Sequence, residues 1–125
     1  MTQVKYETTV IGTGELLQEF VNEGILVFFG KEAPEELLET AVVIEHKTEP
    51  TADVIPGDII ELGSHSFPVL AVGPVANDNL RNLGHLVIKF NGLEEPEMKG
   101  DVCVPEGSIP ALTQGTTIRI TSSSD

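Results

Sequence analysis

The chain has one cysteine, Cys103. A single thiol excludes an internal disulfide and is too few for a thiolate zinc site. Within Asp101-Val102-Cys103-Val104 it is expected to be a small buried hydrophobe. Cations are also scarce: 7 Lys and Arg stand against 20 Asp and Glu, a formal charge of -13. Such a surface repels nucleic acid and anionic membranes, and basic patches with interleaved aromatics are missing. No apolar run is long enough to span a bilayer, and the run from Gly24 to Gly30 is only strand-sized. The first residues, Met1-Thr2-Gln3-Val4-Lys5-Tyr6, lack the basic-then-apolar layout of a secretory signal. A cytoplasmic location is therefore expected. There is no Gly-x-x-x-x-Gly-Lys-Ser/Thr loop and no Gly-x-Ser-x-Gly elbow, which argues against nucleotide hydrolysis and serine-hydrolase chemistry. Ile11-Gly12-Thr13-Gly14 lacks the third glycine of a dinucleotide fingerprint and is read as a turn.

What remains fits one globular domain over residues 1–125, with 40% apolar residues and a Ser122–Asp125 tail expected to fray. Most of it reads as short β-strands divided by Gly, Pro and Asn/Asp signals. Strands are expected over residues 4–11, 25–29, 41–46, 59–62, 65–72, 85–90, 101–104 and 116–120. Leu86, Ile88 and Phe90 share one face. Pro68 marks its run as an edge strand or a bulge, and Asn91-Gly92 is a turn signal. Leu16, Leu17, Phe20 and Val21 fall on one helical face ended by Gly24, and Pro34-Glu35-Glu36 opens a second short helix. Residues 76–84 are expected to form a further helical turn or short helix ending at Gly84. Seven or eight strands at this spacing indicate an all-β sandwich or barrel with one or two short helices.

The side chains suited to chemistry near neutral pH are three histidines, His46, His65 and His85, each placed at a strand end or turn. They support nucleophilic or acid–base work, a three-ligand zinc site, or an ordinary polar role at strand ends. Their dispersion matches no standard zinc spacing, and no metal is expected. Glu45 precedes His46 and, on a continuous strand, points to the opposite face. Asp78, in Asn77-Asp78-Asn79, is within reach of a site at His85, or else Asn77 or Asp78 caps a helix. Ser64, Thr48, Asn77 and Asn79 are candidate hydrogen-bond donors.

The block from Phe67 to His85, FPVLAVGPVANDNLRNLGH, continued by LVIKFNGL to Leu93, resembles the central block of the glucitol/sorbitol-specific IIA family of the sugar phosphotransferase system. Phe28-Phe29-Gly30-Lys31-Glu32-Ala33-Pro34 and Pro56-Gly57 resemble it as well, so the likeness runs over nearly the whole chain. The resemblance implies a closed β-barrel of about seven strands and a phosphocarrier with no cofactor. It implies HPr as phosphoryl donor and the IIB part of a IIB/IIC sorbitol permease as acceptor. It places the phosphohistidine in Val42-Val43-Ile44-Glu45-His46. Some members carry two histidines there with one residue between them, whereas this chain has Ile44 and keeps His46. His46 is thus the expected acceptor, with His85 as the alternative or orienting histidine and His65 third. The competing expectations are a non-catalytic binding barrel and a zinc enzyme.

Overall fold

A computed structural model describes residues 3–122. The expected frayed tail is described only at Ser122, which exchanges hydrogen bonds with Gln3; the rest of it lies outside the described residues. The strands are β1 (Val4–Thr13), β2 (Ile25–Gly30), β3 (Val42–Ile44), β4 (Ile59–Leu62), β5 (His65–Pro68), β6 (Ala71–Val72), β7 (Leu86–Phe90), β8 (Asp101–Val104) and β9 (Thr117–Thr121). Three helices join them: α1 (Leu17–Val21), α2 (Glu35–Leu38) and α3 (Ala76–Leu83). None of these helices is long and apolar enough to cross a membrane.

The strands form one curled sheet in the order β5-β4-β9-β1-β3-β2-β7-β8-β6. The mostly-β expectation holds, but the sheet is a curled half-barrel with no ladder between β5 and β6 rather than the expected closed barrel of about seven strands. Three short helices accompany it among the described residues instead of one or two. There are nine strands against the expected seven or eight, because the run 65–72 divides at Pro68. Pro68 ends β5 opposite Ile59; proline cannot donate to a ladder, and after it the chain changes partner. Leu70 N–H then donates to Cys103 O at 2.8 Å, and Ala71 and Val72 pair with β8. The two end strands of the sheet order are therefore consecutive in the chain, and the backbone between them, rather than a ladder, joins the two ends.

Two pairs are parallel, β2 with β3 and β7 with β8. Asn91-Gly92 does turn the chain, with Gly92 at φ 70°, but it opens a loop to Gly100 instead of a hairpin. Ile11-Gly12-Thr13 is not a turn: it lies in β1, past a bulge between Val10 and Gly12. Gly14 passes so close to the Leu38 and Glu39 carbonyls that no side chain fits.

Alternation sorts the side chains into two clusters. Tyr6, Val10, Leu26, Phe28, Ile44, Leu86 and Ile88 belong to the main core inside the curl. Val27, Phe29 and Ala41 form a second cluster, covered by Ala33 and Leu38 from the α2 segment. Two ion pairs on buried carboxylates brace the sheet, Lys5–Asp58 at 2.7 Å and, with a partly exposed lysine, Lys89–Asp101 at 3.0 Å. Their carboxylates also accept backbone N–H bonds from Ile55 and Met98, so the charges are paired and hydrogen-bonded as burial requires. Cys103 is fully buried, and burial pushes its thiol up, as expected of an inert hydrophobe.

Candidate functional site

At the end of the sheet where β2 and β3 stop, a cleft of about 570 Å³ opens between the α2 segment, the end of α3 and the chain after β3. Its walls include Phe29, Lys31, Pro34, Glu45, His46 and Leu83. β3 ends at Ile44, earlier than its apolar pattern suggests. Strand alternation therefore stops before Glu45 and His46, and both side chains reach the cleft instead of opposite faces.

His46 is half-buried and held at both ring nitrogens. Nδ1 lies 2.6 Å from the Tyr6 hydroxyl, and Nε2 lies 3.0 Å from the carbonyl oxygen of Arg81 in the last turn of α3. Two glycines make room for it. A Cβ at Gly84 would stand 2.9 Å from His46 Cβ and Cγ, and one at Gly30 would stand 3.1 Å from His46 Cβ. Gly84 is also the left-handed residue that ends α3, at φ 64°. The space at Gly84 thus serves His46, although His85 is its neighbour in the chain.

Tyr6 is 4% exposed, and burial pushes its phenol up to about 12, slightly offset by the nearby Thr8 hydroxyl. It remains a hydroxyl at any pH at which the protein works. Glu45 pairs with Lys31 at 3.0 Å and with Lys47 at 3.4 Å. These ammonium groups, Lys31 foremost, hold its carboxyl below the usual range. Two of the chain's 7 cationic side chains therefore converge on the cleft.

His85 lies one residue beyond Gly84 and packs against Phe29 of the second cluster. Its ring stacks on Phe29, with centroids 4.0 Å apart and planes 10° apart. Its Nδ1–H donates to Phe28 O at 3.2 Å, and no hydrogen-bond partner among the described residues meets Nε2. Burial lowers its pKa, against a smaller raising effect of the Phe28 carbonyl, which favours the neutral ring. His65 is exposed on edge strand β5, opposite Leu62, and does not reach the cleft.

The expected polar helpers do other work. Neither Asn77 nor Asp78 caps α3, whose N-cap is Val75. The Asn77 amide grips both backbone groups of Val54, and Asp78 pairs with Arg81. Ser64 and Thr48 are exposed and, like Asn79, are not part of the cleft. Lys31 and Lys47, which line it, and Tyr6, which holds His46 from the core, do not stand out as site residues in the sequence. The one available signal is that the lone tyrosine, on a predicted strand, needs a partner for its hydroxyl when buried.

A half-buried imidazole with oriented nitrogens, beside two lysines, can act as a nucleophile toward an anionic centre. Among the described residues no three His, Cys, Asp or Glu side chains converge as metal ligands would. The curled-sheet fold is shared with "The Crystal Structure of PTS System IIA Component from Enterococcus faecalis V583", at a TM-score of 0.78 and 24% identity over 90% of this chain and 97% of that one. Two relatives, from Shigella flexneri and Escherichia coli (strain K12), are each named "PTS system glucitol/sorbitol-specific EIIA component". Each is 39% identical over 107 residues, which is 86% of this chain and 85% of the relative. The sequence profile of the family described as "PTS system glucitol/sorbitol-specific IIA component" matches residues 5–119, and the chain belongs to that family.

Proposed function

We propose that this IIA component carries its phosphoryl group on His46, receiving it from HPr and passing it to the IIB part of a sorbitol permease in the cytoplasm. The observation that carries the reading is the position of His46. It is the histidine that lines the cleft, and it shares that cleft with Lys31 and Lys47 in a chain of net charge -13.

A phosphocarrier histidine attacks phosphorus in line with one ring nitrogen while the other is held by a partner that fixes the tautomer. Catalysis of such a transfer is mostly positioning and charge stabilisation. The glycine contacts supply the first and the lysines the second. The rim is apolar and open: Leu37 and Leu83 are 44% and 54% exposed, beside Ala33 and Pro34. That suits brief docking of one small protein after another. The surrounding negative charge suits a donor with a basic active face.

A second reading is favoured by Nε2 of His85, which meets no hydrogen-bond partner among the described residues, while its Nδ1–H is fixed by a backbone carbonyl. Labelling with phosphoenolpyruvate, enzyme I and HPr separates the two. His46→Gln should abolish an acid-labile, base-stable label, and His85→Gln should retain it. A folded His46→Gln protein labelled at the wild-type level would transfer the role to His85. No label on the wild-type chain would leave a non-catalytic binding function.

A further inference from the structure

We propose that the phosphoryl group bonds to Nδ1 of His46, and that Tyr6 holds this nitrogen in the resting protein and then hydrogen-bonds the phosphoryl oxygen. The proposal rests on His46 being the acceptor and adds which atom reacts and which residue serves it.

The argument begins at Nε2. Its partner, the Arg81 carbonyl oxygen, has no proton to give, so Nε2 must carry the hydrogen of the 3.0 Å bond. A neutral imidazole then has one lone pair, at Nδ1. Tyr6 at 2.6 Å therefore donates its O–H to Nδ1. Flipping the ring would lose both hydrogen bonds. Nε2 is also a poor place for phosphate. It faces the C-terminal turn of α3, where unpaired carbonyls concentrate partial negative charge, and a phosphoryl dianion there would be repelled. The Nδ1 side offers a donor hydroxyl instead, one that burial keeps protonated.

The step balances without a proton leaving the ring. The Nδ1 lone pair attacks phosphorus of the donor phosphohistidine, and the P–Nδ1 bond forms as the donor P–N bond breaks. The electron pair of the broken bond stays on the donor ring nitrogen. The Nε2–H stays on Nε2, donated to the Arg81 carbonyl throughout, so the phosphorylated His46 ring is an imidazolium, and the donor ring, protonated at its other nitrogen, leaves as neutral imidazole. The Tyr6 O–H moves from Nδ1 to a phosphoryl oxygen. Onward transfer reverses these motions and returns the phenol to Nδ1.

The test uses full-length protein labelled with ¹⁵N. Before phosphorylation, the His46 ring should be the Nε2–H tautomer with a hydrogen-bonded Nδ1. Tyr6→Phe should shift the Nδ1 resonance and leave Nε2–H in place. After transfer from HPr, ¹⁵N–³¹P coupling should appear at Nδ1. Tyr6→Phe should lower the phosphorylated fraction at equilibrium about fivefold, because the charge-assisted hydrogen bond lost from the phosphorylated state is stronger than the neutral one lost from the resting state. Coupling at Nε2 of His46, or an Nδ1–H tautomer in the resting wild-type protein, overturns this proposal and leaves the acceptor intact. Coupling on another histidine overturns the acceptor, and this proposal with it. If Tyr6→Phe fails to fold, the two wild-type measurements decide alone.

Discussion

His46 and His85 flank the same glycine turn yet belong to different parts of the molecule. His46 is tied through Tyr6 to the main core inside the curl, and its ring looks into a cleft furnished with lysines. His85 is tied through Phe29 to the smaller cluster under α2, with one nitrogen bonded and the other unpartnered among the described residues. One has the better surroundings for an anion, and the other has the freer nucleophile. For a reaction whose transition state is stabilised mainly by placement and charge, the surroundings should decide. A free lone pair is made by moving one hydroxyl, whereas a charged cleft has to be built into the fold.

The largest effect should come from the histidines themselves. His46→Gln should reduce the rate of phosphorylation by more than about a thousandfold, since a nucleophile has no substitute. His85→Gln should cost less than about tenfold, the effect of disturbing a packed neighbour. Rates with limiting phospho-HPr check both, and a reversed order breaks the comparison. Next in size is Gly84→Ala. Its φ of 64° is left-handed, and the added Cβ would meet His46 at 2.9 Å. We expect a loss of about 1–2 kcal/mol in stability from the backbone. We expect about a hundredfold in rate from moving the ring. Urea unfolding and the transfer rate measure the two separately. A stability loss with an unchanged rate would show that the glycine serves the helix end alone.

Much of the scaffold was legible in the residues, and the part that was not has a common cause. The inward set Leu86, Ile88 and Phe90 follows from period-two alternation, and Gly84 from the need for a left-handed helix end. Both are local. Pro68 announced an edge, but only the fold reveals that β4 lies on one side of the break and β8 beyond it. Alternation put Glu45 and His46 on opposite faces; it failed because β3 ends at Ile44, before either residue. The bond from His46 to Tyr6 crosses 40 residues, and the bond to Arg81 uses a backbone carbonyl that no side-chain pattern signals. The segment holding the cleft histidine could be recognised, while the contacts that orient it could not.

The lysines sharpen the contrast from the side of charge. Their side chains are 54% and 76% exposed, so solvent and salt screen them. Replacing both, Lys31→Met with Lys47→Met, should slow phosphorylation by about tenfold, less than a buried oxyanion donor is worth. Stability should change little, and Glu45, freed of its partners, should titrate closer to the ordinary carboxylate value. NMR titration of Glu45 and the transfer rate report the two effects. An unchanged rate would mean that the charge around His46 plays no part, and would strengthen the case for His85.

The smallest expected effect concerns the pH response of His85. Burial holds its pKa below the ordinary 6.5. In the window between the folded value and 6.5, the unfolded chain binds a proton that the folded chain does not. Stability therefore rises with pH across that window. It is fully present above 6.5 and is lost as pH falls through the folded value. Losses from carboxylates such as Glu45, whose folded pKa is also depressed, come at lower pH and do not mask this step. Unfolding by urea between about pH 7.5 and about pH 5.5, either side of the free histidine value, should show the decline, and His85→Gln should flatten it. A ring-proton titration identifies the group directly. A His85 midpoint at or above 6.5 would mean that the ring is solvated rather than seated on Phe29, and the distinction between an inner, cleft-facing histidine and an outer, packed one would fail.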